Sequence, residues 1–144
     1  MNKRFVAFVL LFLLIFNVGA VAAYIPPDSP DASAYISSYS ANVLNAGNGN
    51  LKVSFDITGT KTMTDIGASA IAIYKSTGSY VTTIYYFSDG RSNMMGSNKI
   101  YHSDTESIYV GAGSYYAVVT FYAGNSTGSD SQNYKTGVRT ITNP

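Results

Sequence analysis

At 144 residues, with 46% hydrophobic and 14% aromatic content, the chain is large and apolar enough for one folded domain rather than a disordered segment. Charged residues make up only 12% and give a formal net charge of +1, so a basic surface that attracts nucleic acid is not expected. The absence of cysteine excludes disulfides, and with a single histidine it leaves almost no ligand set for zinc.

Residues 1–23 are predicted to be a secretory signal peptide. A short basic region precedes an uninterrupted apolar run at 5–16, and Ala22 and Ala23 are the candidate cleavage residues. The run is shorter than the roughly 20 residues that span a bilayer, so contact with a membrane is expected only during export. We therefore expect a secreted, extracellular protein, either free or associated with the cell wall.

The segment after the cleavage site is expected to be flexible before the domain begins. Residues 24–33 contain three of the four prolines and are predicted to be an extended leader. The domain itself is predicted at 34–144. Its first strand is expected at 35–44, with the tyrosine and valine side chains facing inward, and residues 45–50 are expected to form a tight reversal.

The clearest strand in the sequence is at 51–58. Its apolar residues alternate with polar ones, which predicts one buried face and one wet face; the inward residues are Leu51, Val53, Phe55 and Ile57. Residues 59–69 are expected to be a polar connection between two sheets, with Met63 and Ile66 closing an end of the core.

The rest of the chain predicts further short strands. Residues 70–74 and 80–87 are predicted to form a hairpin, followed by a loop at 88–98. Subsequent strands are expected at 99–102, 107–110, 112–123 and 131–141, with a loop at 124–130 and a bulge at Gly137. Regular short strands without helical periodicity predict an all-β antiparallel sandwich of seven or eight strands.

Residues 110–121 read Val-Gly-Ala-Gly-Ser-Tyr-Tyr-Ala-Val-Val-Thr-Phe. They resemble the corner and strand near the C-terminus of immunoglobulin-like and fibronectin-like domains. The resemblance implies that Tyr115 is a corner tyrosine whose hydroxyl bonds back to the backbone. It implies architecture and carries no function.

A wider resemblance rests on the segments at 35–41, 49–55, 59–69, 94–96 and 116–123. They are similar to an uncharacterised family, a domain of unknown function, of small secreted proteins from clostridia-like Gram-positive bacteria. This resemblance implies a compartment and a type of host, and no activity.

Catalytic groups are scarce in this sequence. A small secreted hydrolase acting on a glycan or an ester would have to use His102 or the pair Asp104 and Glu106, and no nucleophile is specified beside them. No cofactor is predicted. Calcium is the alternative left open, because oxygen donors occur in predicted loops, namely Asp89, Asn93, Asp104, Glu106 and Asp130.

Tyrosine is the residue type that favours binding. Its ring covers apolar area at low entropic cost and its hydroxyl forms hydrogen bonds, so it suits both sugars and proteins. The candidate surface residues are Tyr85, Tyr86, Tyr116 and Tyr122. The leading hypothesis is an exported, non-enzymatic interaction module whose partner is a cell-wall glycan or a protein.

Overall fold

A computed structural model describes residues 33–86 and 88–143, and within them it contains seven β-strands and one 3₁₀ turn at Ser92–Met94. The strands are β1 (Ile36–Gly47), β2 (Asn50–Lys75), β3 (Tyr80–Tyr85), β4 (Met95–Tyr109), β5 (Gly113–Asn125), β6 (Gly128–Lys135) and β7 (Arg139–Ile141). All pairings are antiparallel, so the predicted all-β antiparallel class is confirmed. No helix in these two segments has the length and apolar character needed to cross a membrane. The predicted signal peptide and residues 24–32 of the predicted leader lie outside the described residues.

Strand β2 belongs to both layers of the structure. Its first half pairs with β1 and with residues 101–109 of β4, and we call these paired segments layer 1. Its second half pairs with residues 95–99 of β4 and with β3 on one side and with β5 on the other, and β6 and β7 pair with β5 to complete layer 2. The two layers are therefore one hydrogen-bonded sheet folded back on itself.

Aromatic side chains fill the space between the layers. The ring of Tyr39 in β1 lies 5.1 Å from the ring of Phe121 in β5, centroid to centroid. Phe55 in β2 packs edge-on against the same Phe121 ring at 6.1 Å, and Tyr134 of β6 packs edge-on against Tyr39 at 6.1 Å. These contacts join layer 1 to layer 2 and make the fold a β-sandwich.

The predicted alternation of the first half of β2 is confirmed. All four predicted inward residues are buried: Leu51, Val53, Phe55 and Ile57. Strand β5 follows the same rule, because Tyr115, Ala117, Val119 and Phe121 are buried while the residues between them are partly exposed. Burial of each large side chain contributes about 1.5–3 kcal/mol to stability.

Residues 59–69 carry the chain from one layer to the other as predicted, but they do so as part of the 26-residue strand β2 and not as a separate polar connection. Met63 pairs with Lys99 and Ile66 pairs with Gly96, both in β4. Met63 and Ile66 are fully buried, as expected from their apolar character. The chain crosses from one layer to the other through a register shift between Thr58 and Met63, without leaving the strand conformation.

The predicted loop at 88–98 and the two predicted strands at 99–102 and 107–110 also need correction. Strand β4 begins at Met95 and continues to Tyr109. Residues 103–106, expected to separate two strands, pair in register with residues 53–56 of β2. Polar residues on the inward side of this strand interrupt the apolar pattern, and this interruption produced the prediction of a loop.

The ends of the sheet differ from the predictions in three details. Ile36 is buried with Tyr39 and Val43, because the register of β1 shifts between residues 36 and 38. Strand β5 continues to Asn125 and β6 begins at Gly128, so the predicted loop at 124–130 is a tight turn. The predicted last strand is divided into β6 and β7, and Gly137 lies between them rather than in a bulge.

Two turns have the geometry that their residues favour. Asn48 and Gly49 both have positive φ angles, 52° and 74°, as a tight hairpin turn between β1 and β2 requires. At the start of β5, the Tyr115 hydroxyl donates to the carbonyl oxygen of Val110 at 2.8 Å and lies 3.3 Å from that of Ala112. This hydroxyl ties the corner before β5 to the strand.

The central position of Val53 makes it a test of the fold. Val53 is fully buried and pairs with Val43 of β1 and Glu106 of β4. Val53→Asp should lower the free energy of unfolding by more than about 4 kcal/mol, because it buries a carboxylate without a partner. Chemical denaturation measures the effect. The exposed neighbour Lys52 provides the control, since Lys52→Asp should change stability by no more than about 0.5 kcal/mol. Equal stability of the two variants would contradict the described core.

Candidate binding surfaces

The outer side of layer 2 carries a row of aromatic side chains that runs across the strands. Tyr74 of β2 and Tyr116 of β5 are opposite each other in the sheet, and their rings stack at 5.4 Å with an interplanar angle of 11°. Tyr80 of β3 packs edge-on against Tyr74 at 5.8 Å. On the other side, the ammonium group of Lys135 in β6 lies 4.3 Å from the centroid of the Tyr116 ring. We call these four residues the tyrosine row.

The same side of layer 2 also contains a cavity of about 270 Å³. It is lined by Asp65, Ser69, Tyr86, Met95 and Tyr122. Tyr122 pairs in register with Gly67, and the absence of a side chain at Gly67 lets the backbone of Met94 and Met95 pass close to that position. The cavity therefore has an apolar wall with carboxylate and hydroxyl groups around it.

Small side chains separate the tyrosine row from the cavity. Between Tyr116 and Tyr122, strand β5 presents Val118 and Thr120 outward, and these pair with Ala72 and Ala70 of β2. The alanines rise little above the sheet, so the surface is low between two raised aromatic groups. We call this low strip, formed by Val118, Thr120, Ala70 and Ala72, the trough. The outer side of layer 2, with the tyrosine row, the trough and the cavity, is called the tyrosine face.

The four tyrosines singled out in the sequence all lie on this face. Tyr116 is in the row, and Tyr86 and Tyr122 line the cavity. Tyr85 pairs with Ala70 and is 52% exposed. Their role in binding stays a prediction.

Tyr74 and Tyr80 were not among the candidate residues, although they complete the row. Their positions on each side of the turn at 76–79 made them neighbours in the predicted hairpin. Tyr116 is far from Tyr74 and Tyr80 in the sequence, and no sequence pattern indicated that β5 would lie beside β2.

The candidate catalytic residues lie on one side of one strand. His102, Asp104 and Glu106 alternate along β4 and point toward the space between the layers. Glu106 forms an ion pair with Arg91 at 2.8 Å, and its side chain is only 8% exposed. The Nε2 atom of His102 lies 2.7 Å from the carbonyl oxygen of Asn93. Together these contacts fasten the segment before β4 to the strand.

Along the described strand β4, the hydroxyl residues next to His102 are not directed toward it. Ser103 and Thr105 alternate with the candidate residues and therefore point to the outer side of layer 1. The two carboxyl groups are neighbours on one strand rather than partners across a cleft, where a glycosidase places them. Within the described residues, the contacts of His102 and Glu106 stabilise the fold.

The oxygen donors considered for calcium are spread over separate parts of the structure. Asp89 accepts a hydrogen bond from the backbone NH of Tyr85, and Asp130 accepts one from that of Ser131. In residues 33–86 and 88–143, no group of three histidine, cysteine or acidic residues is placed to hold a metal ion. Calcium binding stays an untested prediction.

Glu106 gives the domain a pH-dependent stability that can be measured. Burial raises the pKa of Glu106 above its ordinary value of 4.5, Arg91 opposes this effect, and the carboxyl of Asp104 adds to it. The folded state therefore binds this proton more tightly than the unfolded state does. The resulting contribution to stability is present below pH 4.5 and is lost as the pH rises through the raised pKa.

Comparison with Glu106→Gln isolates this contribution. As the pH rises from about 4 to about 7, wild type should lose free energy of unfolding relative to this variant. Denaturant titrations at each pH give the difference, and the subtraction removes titrating groups that both proteins share. A gain of wild type over Glu106→Gln in the same interval would mean that the Arg91 ion pair outweighs burial.

Comparisons with known proteins agree with the architecture. No protein-family model matches the chain, and no curated protein matches it in sequence, so the resemblance to an uncharacterised secreted family stays a prediction. Among solved structures, the crystal structure of the C-terminal domain of wzt is similar, with a TM-score of 0.50 and 18% identity. The match covers 81% of this chain and 81% of that chain. The chain thus shares its fold with the C-terminal domain of wzt.

Proposed function

We propose that this protein is an exported, non-enzymatic binding module that holds a glycan chain on its tyrosine face, outside the cell or in the cell wall. The observation that carries the proposal is the joining of the tyrosine row and the cavity by a trough on one side of layer 2. The cavity accommodates a single small ring, and the row offers a second point of contact.

The chemistry of the face suits sugars. A sugar ring has apolar C–H surfaces that pack on aromatic rings, and hydroxyl groups that need hydrogen-bond partners. Tyr122 offers both a ring and a hydroxyl at the cavity, where Tyr86 adds a second ring, Asp65 a carboxylate acceptor and Ser69 another hydroxyl. The partner is therefore expected to be neutral and rich in hydroxyl groups.

The spacing of the two contact points favours a chain over a single sugar. Tyr116 and Tyr122 are six residues apart on the extended strand β5, a separation of about 20 Å at the usual rise per residue. A ligand that reaches both must be extended over several sugar units. A single sugar would fill the cavity and leave the tyrosine row without a contact.

A peptide fits this face less well than a glycan does. Extended peptides bind sheets mainly through unpaired backbone groups at an edge. On the tyrosine face the backbone groups of β2 and β5 are already paired with neighbouring strands. Recognition there depends on side chains alone, which is the usual situation for a sugar.

Tyr122→Ala should weaken glycan binding, because it removes one wall of the cavity while leaving the core untouched. A panel of soluble cell-wall oligosaccharides identifies the ligand, and calorimetry then measures the affinity per chain. We expect a loss of roughly 3- to 10-fold for this one ring.

Tyr109→Ala is the matched control. Tyr109 is 70% exposed on β4 in layer 1, so its removal should leave the affinity for a soluble oligosaccharide unchanged. The absence of binding across the panel, or equal losses in the two variants, would contradict the proposal. The melting temperature of each variant shows that it is folded.

A further inference from the structure

Strand β4 has one edge without a partner strand in the described part of the chain. Residues 101–109 pair with residues 50–58 of β2 at nine consecutive positions without a bulge. No described strand pairs with the opposite edge of β4. Exposed edges are normally protected by proline, by charged side chains including inward-pointing ones, by a bulge or by a short length. Residues 101–109 contain no proline, lysine or glycine, and the charged residues of this stretch are the inward-pointing Asp104 and Glu106.

This edge strand also exposes apolar surface. Tyr109 is 70% exposed and Tyr101 is 51% exposed, and Ile100 beside them is 52% exposed. These are three of the seven large hydrophobic residues that the described structure leaves exposed. The apolar surface therefore coincides with the unpaired backbone groups.

The outward side chains of this strand read the same in both directions. In order along the strand they are Tyr101, Ser103, Thr105, Ser107 and Tyr109. Two antiparallel strands related by a two-fold axis run in opposite directions, so a sequence with this symmetry places identical residue types opposite each other. The centre of symmetry is Thr105.

We infer that the unpaired edge of β4 binds a second copy of this chain, antiparallel, with Thr105 of each copy opposite Thr105 of the other. In this register Tyr101 lies opposite Tyr109 of the second copy, and Ser103 lies opposite its Ser107. Aromatic pairs and hydroxyl pairs of this kind stabilise neighbouring strands. The inference does not depend on glycan binding.

The inner side of β4 favours this register over its neighbour. Pairing about Thr105 places Asp104 opposite Glu106 of the second copy, and Glu106 is already neutralised by its 2.8 Å ion pair with Arg91. Pairing about Asp104 would place two aspartates directly opposite each other, which is destabilising. It would also separate Tyr101 from Tyr109. Charge and apolar contact thus select the same arrangement.

The paired molecule would have a continuous layer of six strands. The outer side of layer 1 contains an open depression of about 280 Å³, which is lined mainly by small polar residues and Tyr101. Its rim includes Ser103 and Thr105 at the β4 edge. Pairing at this edge joins the two depressions side by side. The tyrosine faces belong to layer 2 and stay uncovered.

A single introduced cysteine tests whether the two-fold axis passes through Thr105. The chain has no cysteine, so Thr105→Cys provides the only thiol. Directly opposite Cα atoms in antiparallel strands are about 4.5–5.5 Å apart, within the range of a disulfide. Mild oxidation of protein expressed from the full-length sequence should cross-link Thr105→Cys into a dimer. Ser103→Cys should not cross-link above background, because its copies would be offset by about 14 Å along the strands.

Charge substitutions test the register in a second way. Ser103→Lys with Ser107→Lys places lysines opposite lysines, so the dissociation constant should rise about 10-fold or more. Ser103→Lys with Ser107→Glu places each lysine opposite a glutamate of the second copy and should keep the dimer. Sedimentation equilibrium across a concentration series measures both, with the monomer mass taken from mass spectrometry.

The inference is overturned by a wild-type protein that stays monomeric to the limit of its solubility. A monomer is also the expected result if another segment of the chain pairs with the β4 edge, and that case contradicts the inference equally. A dimer that is equally stable in both charge variants, or equal cross-linking of the two cysteine variants, would overturn it as well. Unchanged melting temperatures of the separated monomers show that the substitutions leave the fold intact.

Discussion

The hydrogen bonds of β2 are the constraint on which the rest of the structure depends. This single strand pairs with β1 and residues 101–109 of β4 in layer 1, and with β3, β5 and residues 95–99 of β4 in layer 2. Because the two layers share a strand, neither can shift without breaking backbone hydrogen bonds in the other. The aromatic contacts of Phe121 with Tyr39 and Phe55 then fix the distance between the layers.

The features that followed from the sequence are those in which a strand keeps one buried side throughout. Leu51 to Ile57 and Tyr115 to Phe121 alternate without interruption, and both inward sets are buried. The turn at Asn48 and Gly49 also followed, because few residues other than asparagine and glycine accept positive φ. Local sequence was sufficient to predict a strand or a turn wherever one simple pattern applied.

The features that did not follow are those in which the pattern changes within a strand. The buried residues of the middle of β2 include Met63, Ile66, Ala68 and Ile71, and the spacings between them are not all even. A strand was therefore not predicted there, because strand prediction depends on strict alternation. In β4, Asp104 and Glu106 point inward and resemble loop residues. The tyrosine face combines residues from β2, β3 and β5, and their pairing depends on contacts between distant parts of the chain.

The register shift between Ala68 and Ala70 in β2 has a consequence for variation in chain length. A deletion elsewhere in a buried strand turns every following side chain to the opposite side. Ser69 is the extra residue of a bulge, so its loss would leave Ile71 and Ile73 directed into the core. Ser69 also lines the cavity of the tyrosine face. A deletion at Ser69 can therefore reshape the tyrosine face while the interior stays the same.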